Sequence, residues 1–414
     1  MSKDTPGQTA STTPRFRVGG ASWLDLLRMT APMVGRLPVE HLLFLARRLQ
    51  WEKPRRFAEQ VHINSFFPPW PSPAWDRFCR VLIRRSRIPL SVYIAVTAAC
   101  PYRCAHCSYG RRTGTPLDTD NMVALIGQLK DLGVPMVGFT GGEPLLRDDL
   151  EQLVEAAGPD MSTILFTTGH GLDARRATRL ARAGLGCATI GIEAADATRH
   201  DAVRGASGSF DQARRAVQHC LDAGIFPAVS TVGLHERLVS GQLESMYDLA
   251  CRWGVGEFRL LAPVPTGALL GQAGVMPSEH DGRAMVDFHR RHNREHTGPT
   301  VASFAWLESA TMFGCGAGYH HLFVDAHGNA CPCDLAPLSL GNVVDESVRA
   351  VWSRMARWFA RPRRHCLMRE VLPRLDPSTE TLPLPRPQSE AICTACTHDG
   401  TLPDGYRHLL SRTP

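Results

Sequence analysis

Three cysteines with a CX3CX2C spacing are the residues of this sequence best suited to chemistry. Cys100, Cys104 and Cys107 follow a strand-like run directly. Three thiolates cannot complete a structural zinc site, but they leave one iron of a four-iron cluster without a protein ligand. An open coordination position is what a catalytic metal centre requires. A zinc knuckle completed by His106 or by a distant residue is the alternative.

A glycine-rich turn follows the next strand-like run. It consists of Gly141, Gly142, Glu143 and Pro144. Two glycines allow a ligand to approach the backbone, and the carboxylate can accept hydrogen bonds from a cationic amine. The turn therefore predicts a ligand-binding loop beside the cysteines.

A second group of cysteines lies in the last hundred residues. The predicted ligands of a second metal centre are Cys315, Cys331, Cys393 and Cys396. The first two flank a predicted hairpin whose turn contains Gly328, and four thiolates can ligate a cluster fully. A zinc ribbon is the alternative. Cys333 and Cys366 are additional: they are spare, replace one of the four, or mark a second, incomplete site.

The elements that must position these residues alternate between strand and helix. The predicted strands are Ser91–Val96, Met136–Thr140, Ser162–Thr167, Cys187–Ile192, Phe226–Val232 and Glu257–Ala262. Amphipathic stretches separate them; the first begins at Asp118 or Thr119 and ends at Gly133. Six such units predict an α/β fold, a partial (β/α)6 TIM-like barrel with its chemistry at the carboxyl ends of the strands.

The chain divides into four predicted parts. They are a flexible tail (1–20), a helical extension and linker (21–89), the partial barrel (90–295) and a small Cys-rich α+β domain (296–414). Between Ser22 and Arg48 the apolar residues recur at helical spacing. We interpret this stretch as a helical appendage packed on the barrel, with a membrane-surface anchor or a partner helix as alternatives.

Composition restricts the class of protein further. The 414 residues carry a formal charge of +6 and include thirteen cysteines, with 43% hydrophobic residues. Lysine occurs only at positions 3, 53 and 130, and the arginines are dispersed, which argues against a nucleic-acid groove. No apolar run is long enough to span a bilayer, and no signal peptide is evident. We expect a cytoplasmic protein, with peripheral membrane contact left open.

The cysteine loop and the Gly-Gly-Glu-Pro turn together resemble the radical S-adenosylmethionine (SAM) superfamily over about residues 90–290. The resemblance implies that Cys100, Cys104 and Cys107 hold a [4Fe–4S] cluster whose free iron binds SAM. Reductive cleavage of SAM then gives a 5′-deoxyadenosyl radical, which abstracts hydrogen from a substrate. A reductant such as flavodoxin or ferredoxin is implied as a partner.

The same resemblance implies roles for individual residues. Gly141 and Gly142, in the turn that Pro144 closes, would contact the methionyl end of SAM, with Glu143 near its amine. Glu193 occupies the place of a ribose-binding residue, where many relatives have Asp. Arg204 matches an arginine that pairs with the SAM carboxylate in some relatives.

The C-terminal cysteines resemble the SPASM/Twitch extension of these enzymes. The shorter Twitch form implies one auxiliary [4Fe–4S] cluster on Cys315, Cys331, Cys393 and Cys396. Auxiliary clusters in similar enzymes exchange electrons with substrate radicals or bind substrate, which suggests dehydrogenation, epimerisation or bond formation.

The substrate class is less constrained. The first 90 residues lack the strand pattern of a leader-peptide-binding module, which favours a small natural-product or sugar-like substrate over a peptide. A lipid-linked substrate is the third alternative. A hypothesis of another class is a zinc-stabilised binding protein on a degenerate barrel.

Overall fold

The computed structural model describes residues 15–396 and 400–410. Twelve strands lie in this part of the chain: β1 (Gly19–Gly20), β2 (Arg55–Phe57), β3 (Gln60–His62), β4 (Ser91–Thr97), β5 (Met136–Gly141), β6 (Ser162–Thr167), β7 (Cys187–Gly191), β8 (Phe226–Val232), β9 (Glu257–Leu261), β10 (Thr300–Ser303), β11 (His321–Val324) and β12 (Ala330–Cys331).

Sixteen α-helices accompany these strands in the described residues. They are α1 (Trp23–Thr30), α2 (Val39–Leu49), α3 (Pro73–Arg84), α4 (Thr119–Leu132), α5 (Leu150–Ala157), α6 (Ala174–Ala183), α7 (Ala197–Arg204), α8 (Ser209–Ala223), α9 (His235–Val239), α10 (Gln242–Trp253), α11 (Glu279–Arg294), α12 (Phe304–Leu307), α13 (Val348–Met355), α14 (Met368–Val371), α15 (Arg386–Ala395) and α16 (Asp404–Leu410).

A nine-stranded sheet forms the centre of the fold, in the order β10-β9-β8-β7-β6-β5-β4-β11-β12. All neighbours are parallel except β11 and β12, which form an antiparallel hairpin. The predicted α/β partial barrel is confirmed, and each of the six predicted strands is present within a residue of its expected ends.

Two strands extend the sheet beyond the six predicted units. β10 adds to one edge beside β9, and β11 of the C-terminal hairpin adds to the other edge beside β4. The C-terminal cysteines are therefore placed directly next to the strand that carries the first cysteine loop.

Successive side chains of β4 point alternately to the two faces of the sheet, which shows why this strand forms. Val92, Ile94 and Val96 pack into the main hydrophobic core with the apolar face of α4, whereas Tyr93 faces the interior cavity. Asp118 caps α4 by accepting a hydrogen bond from the Asn121 amide at 2.9 Å. Gly133 ends it with a φ of 96°, as predicted.

The N-terminal extension is tied to the barrel by buried polar contacts. The Ser65 amide donates to Glu257 at 2.7 Å, and Arg259 donates to the Tyr93 hydroxyl at 3.0 Å and to Ser65. Lys53 donates to the carbonyl oxygen of His292 at 2.8 Å. These contacts fix the extension over the interior of the sheet.

The extension also departs from the sequence prediction in two respects. Residues 1–14 of the predicted flexible tail lie outside the described residues, but Phe16 packs on Phe57 with ring centroids 5.9 Å apart, so residues 15–20 are not a free tail. A small sheet of β1, β2 and β3 was missed because its strands of two or three residues are too short to show alternation.

None of the helices in residues 15–396 and 400–410 has the length and apolar character needed to span a bilayer.

Candidate functional site

The first cysteine loop leaves the carboxyl end of β4. Cys100, Cys104 and Cys107 are all free thiols, the first exposed and the other two half-buried. The carbonyl oxygen of Cys107 accepts a hydrogen bond from the Ala268 amide at 2.9 Å, so the loop after β9 holds the end of the cysteine loop. Gly267 makes this contact feasible, because a Cβ there would overlap the same carbonyl oxygen.

The glycine-rich turn packs on the beginning of the cysteine loop. The Gly142 amide donates to the Thr97 carbonyl oxygen, and the Glu143 amide donates to that of Ala99, both at 2.8 Å. A Cβ on Gly141 or Gly142 would overlap these carbonyl oxygens. The absence of a side chain at these two glycines therefore allows the glycine-rich turn to pack against the cysteine loop, a requirement that the sequence did not reveal. Both glycines also line the cavity.

Glu143 is fully buried, with its carboxylate between the ends of β5 and β6. It accepts hydrogen bonds from the Thr167 hydroxyl at 2.6 Å, the Thr168 amide at 2.8 Å and the Leu145 amide at 3.1 Å. The carboxylate fixes the turn that Pro144, itself buried, begins. Its expected contact with an amine stays a prediction.

Glu193 is the centre of a buried ionic network at the end of β7. Arg204 approaches its carboxylate at 2.9 Å, Arg237 at 3.0 Å and His106 at 3.3 Å. Burial alone would raise the pKa of Glu193, but Arg204, His106 and Arg237 hold that pKa well below its usual value. The sequence predicted neither Arg237 nor His106 as partners, because they come from a later helix and from the cysteine loop.

Arg204 connects this network to the cysteine loop. Its Nη1 lies 3.5 Å from the Sγ of Cys104, and its Nε has no hydrogen-bond partner among the described residues. Gly191 makes room for the guanidinium, because a Cβ there would overlap with it. A cation beside a thiolate, with one buried donor unused, fits a negatively charged ligand at this position.

A cavity of about 750 Å³ joins these groups. Its wall contains the three loop cysteines, Gly141, Gly142, Glu193 and Arg204. The same wall also contains Cys315, Cys333 and Cys366, and the N-terminal extension contributes apolar side chains. Three free thiols at the carboxyl end of a parallel strand, beside a glycine-rich turn, have the donor chemistry that a cluster with one open iron needs.

The second cysteine group differs from the predicted set. The Cys315 and Cys366 thiols are neighbours, and the interaction with Cys366 lowers the pKa of Cys315 below its usual value. Cys333 faces the same part of the cavity. The structure therefore brings together Cys315 and the two cysteines that the sequence left as additional.

Cys331 and the CXXC pair lie elsewhere. The Sγ of Cys331 contacts Arg112 at 3.9 Å within a buried cluster behind the hairpin, and it does not line the cavity. Cys393 and Cys396 line a separate depression beside Arg363, whose carbonyl oxygen accepts from the Cys315 amide at 2.8 Å. Joint ligation by Cys315, Cys331, Cys393 and Cys396 stays a prediction, since only Cys315 of these four lines the large cavity.

Other polar groups surround the cavity-facing thiols. The ligand atoms of His321, Cys333 and Asp334 lie within 4.8 Å of one another. Burial, with Cys315 and Asp334 nearby, raises the pKa of Glu308 well above its usual value. The position of Cys333 and Asp334 just after a strand was the one sequence signal that could have singled them out.

Taken together, the fold and the two cysteine groups define an iron–sulfur enzyme that uses a bound organic cofactor. A family model described as the radical SAM superfamily matches residues 94–250, and one described as SPASM, an iron–sulfur cluster-binding domain, matches residues 315–397. The chain belongs to the radical SAM superfamily and carries a SPASM-type domain. As a member it binds a [4Fe–4S] cluster and SAM, depends on a reductant, and has additional iron–sulfur capacity in the SPASM domain.

Curated relatives include two proteins named AdoMet-dependent heme synthase. That of Nitratidesulfovibrio vulgaris is 26% identical over 285 residues, covering 63% of this chain and 77% of the relative. That of Oleidesulfovibrio alaskensis is 26% identical over 291 residues, covering 64% and 74%.

Solved structures with a similar fold include two further proteins. SuiB of Streptococcus suis, bound to precursor peptide SuiA, shares 16% identity and a TM-score of 0.53, covering 66% of this chain and 68% of its own. The protein anSMEcpe with bound AdoMet shares 16% identity and a TM-score of 0.50, covering 64% and 81%. At this identity the likeness concerns the fold alone.

Proposed function

We propose that the chain is a radical SAM oxidoreductase that removes a hydrogen atom from a substrate in the 750 Å³ cavity and passes the remaining electron to an auxiliary cluster. The supporting observation is that one cavity has the first cysteine loop in one part of its wall and three further thiols in another. A substrate between them would contact both redox centres, which favours a net oxidation.

In this proposal the chain's own residues bind and orient the reactants. Cys100, Cys104 and Cys107 hold the reducing cluster, which with SAM supplies a carbon-centred radical. The turn at Gly141 and Gly142 positions the methionyl end of SAM. Burial excludes water that would quench the radical.

Arg204 and Glu193 complete the SAM site in this proposal. Arg204 has its Nη1 beside Cys104 and an unused Nε–H, and we propose that its guanidinium binds the SAM carboxylate. Glu193 holds the guanidinium in place from the other side at 2.9 Å.

For the auxiliary cluster we propose Cys315, Cys333 and Cys366 as protein ligands. Their shared position at the cavity supports this set. Asp334 and His321 are adjacent candidates for a fourth ligand. Cys331 is excluded from our set because its thiol lies against Arg112.

The cavity favours a small, largely apolar substrate over the sugar-like one suggested by the sequence. Its far end is lined by Met33, Leu45, Leu49, Phe67 and Phe78. The volume is within the usual range of about 300–1,000 Å³ for small-ligand pockets. The relatives named heme synthase make tetrapyrroles one class to test, and a modified peptide remains the second candidate.

The experiment that tests this function compares two cysteines of the same hairpin. Cys333→Ala should lower iron by about four per chain in anaerobically reconstituted protein, whereas Cys331→Ala should leave iron unchanged. Uncoupled formation of 5′-deoxyadenosine from SAM and dithionite should survive in both variants, because the first cysteine loop is intact.

Four outcomes would contradict the proposal. Iron loss in Cys331→Ala with retention in Cys333→Ala would refute the ligand set. If wild-type protein forms no 5′-deoxyadenosine from SAM, or if it contains stoichiometric zinc in place of iron, the radical function itself is refuted. A triple alanine variant of the first loop that still cleaves SAM would refute the assignment of Cys100, Cys104 and Cys107.

A further inference from the structure

The first two helices expose an unusual number of large apolar side chains. Six of the nine exposed large hydrophobic residues in the described chain lie between positions 23 and 43: Trp23, Leu24, Leu27, Val34, Val39 and Leu43. Trp23 is 68% exposed and Val39 is 66% exposed. Concentrations of exposed apolar residues of this kind mark interaction sites.

The exposed residues form one face of each helix. On α2, Val39 and Leu43 are one turn apart and exposed, whereas Leu45 and Leu49 line the cavity. On α1, Leu27 is exposed, whereas Met29 is completely buried against the extension's own core. Each helix is therefore apolar on the side that packs and again on the side that faces outward, unlike an ordinary surface helix.

The N-terminal segment cannot supply a cover for this face. Residues 1–14 contain only Met1, Ala10 and two prolines as apolar residues. Such a segment has too little apolar surface to bury six large side chains.

The charges around the face indicate what binds there. Arg28, Arg36 and Arg47 are exposed on or between the two helices, and Glu40 is the one exposed acidic residue of positions 22–50. A tryptophan at the edge of an apolar face, flanked by arginines, is the composition of helices that lie in the interface of an anionic bilayer.

We propose that α1 and α2 dock the protein on the surface of an anionic lipid bilayer through the face formed by Trp23, Leu24, Leu27, Val34, Val39 and Leu43. The helices lie in the headgroup region and do not cross the membrane. Arginines near such a surface add electrostatic attraction to the anionic headgroups, which salt screens.

The segment that carries the docking face also borders the cavity. Thr30 of α1, Met33 in the connection between the helices, and Leu45 and Leu49 of α2 belong to the same cavity wall as Cys104. Docking would therefore bring the apolar part of this wall close to the bilayer, which suits a substrate with an apolar chain. This consequence rests on the proposed function, whereas bilayer docking itself does not.

The test is sedimentation of the reconstituted holoenzyme with lipid vesicles, without substrate. One set of vesicles is pure phosphatidylcholine, and the other contains about 30% phosphatidylglycerol. We expect binding to the anionic vesicles that weakens when salt is raised from about 0.1 M to about 0.5 M. Trp23→Ser/Val39→Ser/Leu43→Ser should reduce the partition coefficient by about tenfold or more.

Two further variants separate the contributions to binding. Val239→Ser/Val344→Ser removes exposed apolar residues of similar exposure, 61% and 56%, that lie elsewhere, and should bind like wild type. Arg28→Gln/Arg36→Gln/Arg47→Gln should lose the preference for anionic vesicles. Because all substituted side chains are exposed, iron content and uncoupled SAM cleavage should stay unchanged.

Several results would overturn the proposal. No vesicle binding by wild-type protein would do so, as would equal binding by the triple serine variant. A wild-type dimer in solution that the triple serine variant converts to a monomer, without lipid binding, would assign the face to self-association. Vesicle binding without any SAM cleavage would leave docking supported and refute the proposed function alone.

Discussion

Replacement of Glu193 by glutamine tests the electrostatic arrangement of the site. The carboxylate is almost completely buried and lies within 3.0 Å of two guanidinium groups, those of Arg204 and Arg237. Their side chains are themselves less than a tenth exposed. Glu193→Gln leaves both cations in a low-dielectric environment without an anion, which destabilises a protein by about 3–5 kcal/mol.

The assay is urea unfolding of the variant and of a matched control. Glu244 also contacts an arginine and a histidine, Arg291 and His292, but it is 46% exposed, so Glu244→Gln should change the free energy of unfolding by about 0–1 kcal/mol. Because the folded pKa of Glu193 lies below its unfolded value of about 4.3, its contribution is present above that pH and is lost as pH falls further.

The difference between wild type and Glu193→Gln should therefore be constant from about pH 6 to 8 and shrink only below about pH 4.3. A loss no larger than that of Glu244→Gln would refute the reasoning. So would a difference that declines between pH 8 and 6, because another group would then be responsible.

Three further predictions concern neighbouring positions. Gly191→Ala should displace the guanidinium of Arg204 and weaken SAM binding in equilibrium dialysis, whereas Gly186→Ala, with space for a Cβ, should not. Arg204→Ala should weaken SAM binding by about 1.5–3 kcal/mol, the value of a charge-assisted hydrogen bond, with iron content unchanged; an unaltered dissociation constant would exclude contact with SAM. Arg259→Met should lower the free energy of unfolding by about 1–3 kcal/mol, because it removes the buried donor to Ser65 and to the Tyr93 hydroxyl, and the additional replacement Glu257→Gln should restore part of the loss if the nearby charge of Glu257 contributes to it.

Local patterns were sufficient for much of the fold. Alternation in Ser91–Thr97 and the 3.6-residue period of α4 are properties of short segments, so the sequence predicted both with their ends. The spacing of Cys100, Cys104 and Cys107 is equally local, and it led to the superfamily that the family model confirms.

Contacts between distant segments were decided only by the tertiary structure. β10 and β11 join opposite edges of the sheet, and nothing in their few residues specifies a partner strand. Likewise Glu193 meets Arg237 from a later helix, and Cys315 meets Cys366 across fifty residues of chain.

Cysteine spacing therefore predicted an additional iron–sulfur centre with Cys331 among its ligands, whereas our proposal takes Cys333, because Cys333 lines the cavity and Cys331 does not. The difference arises at the end of β12: Cys331 is still in the strand and is buried behind it, whereas Cys333 lies in the turn beyond, where the backbone directs its thiol into the cavity. The sequence determines which residue types are available at each strand end, and the path of the chain past that end determines which of them face the substrate.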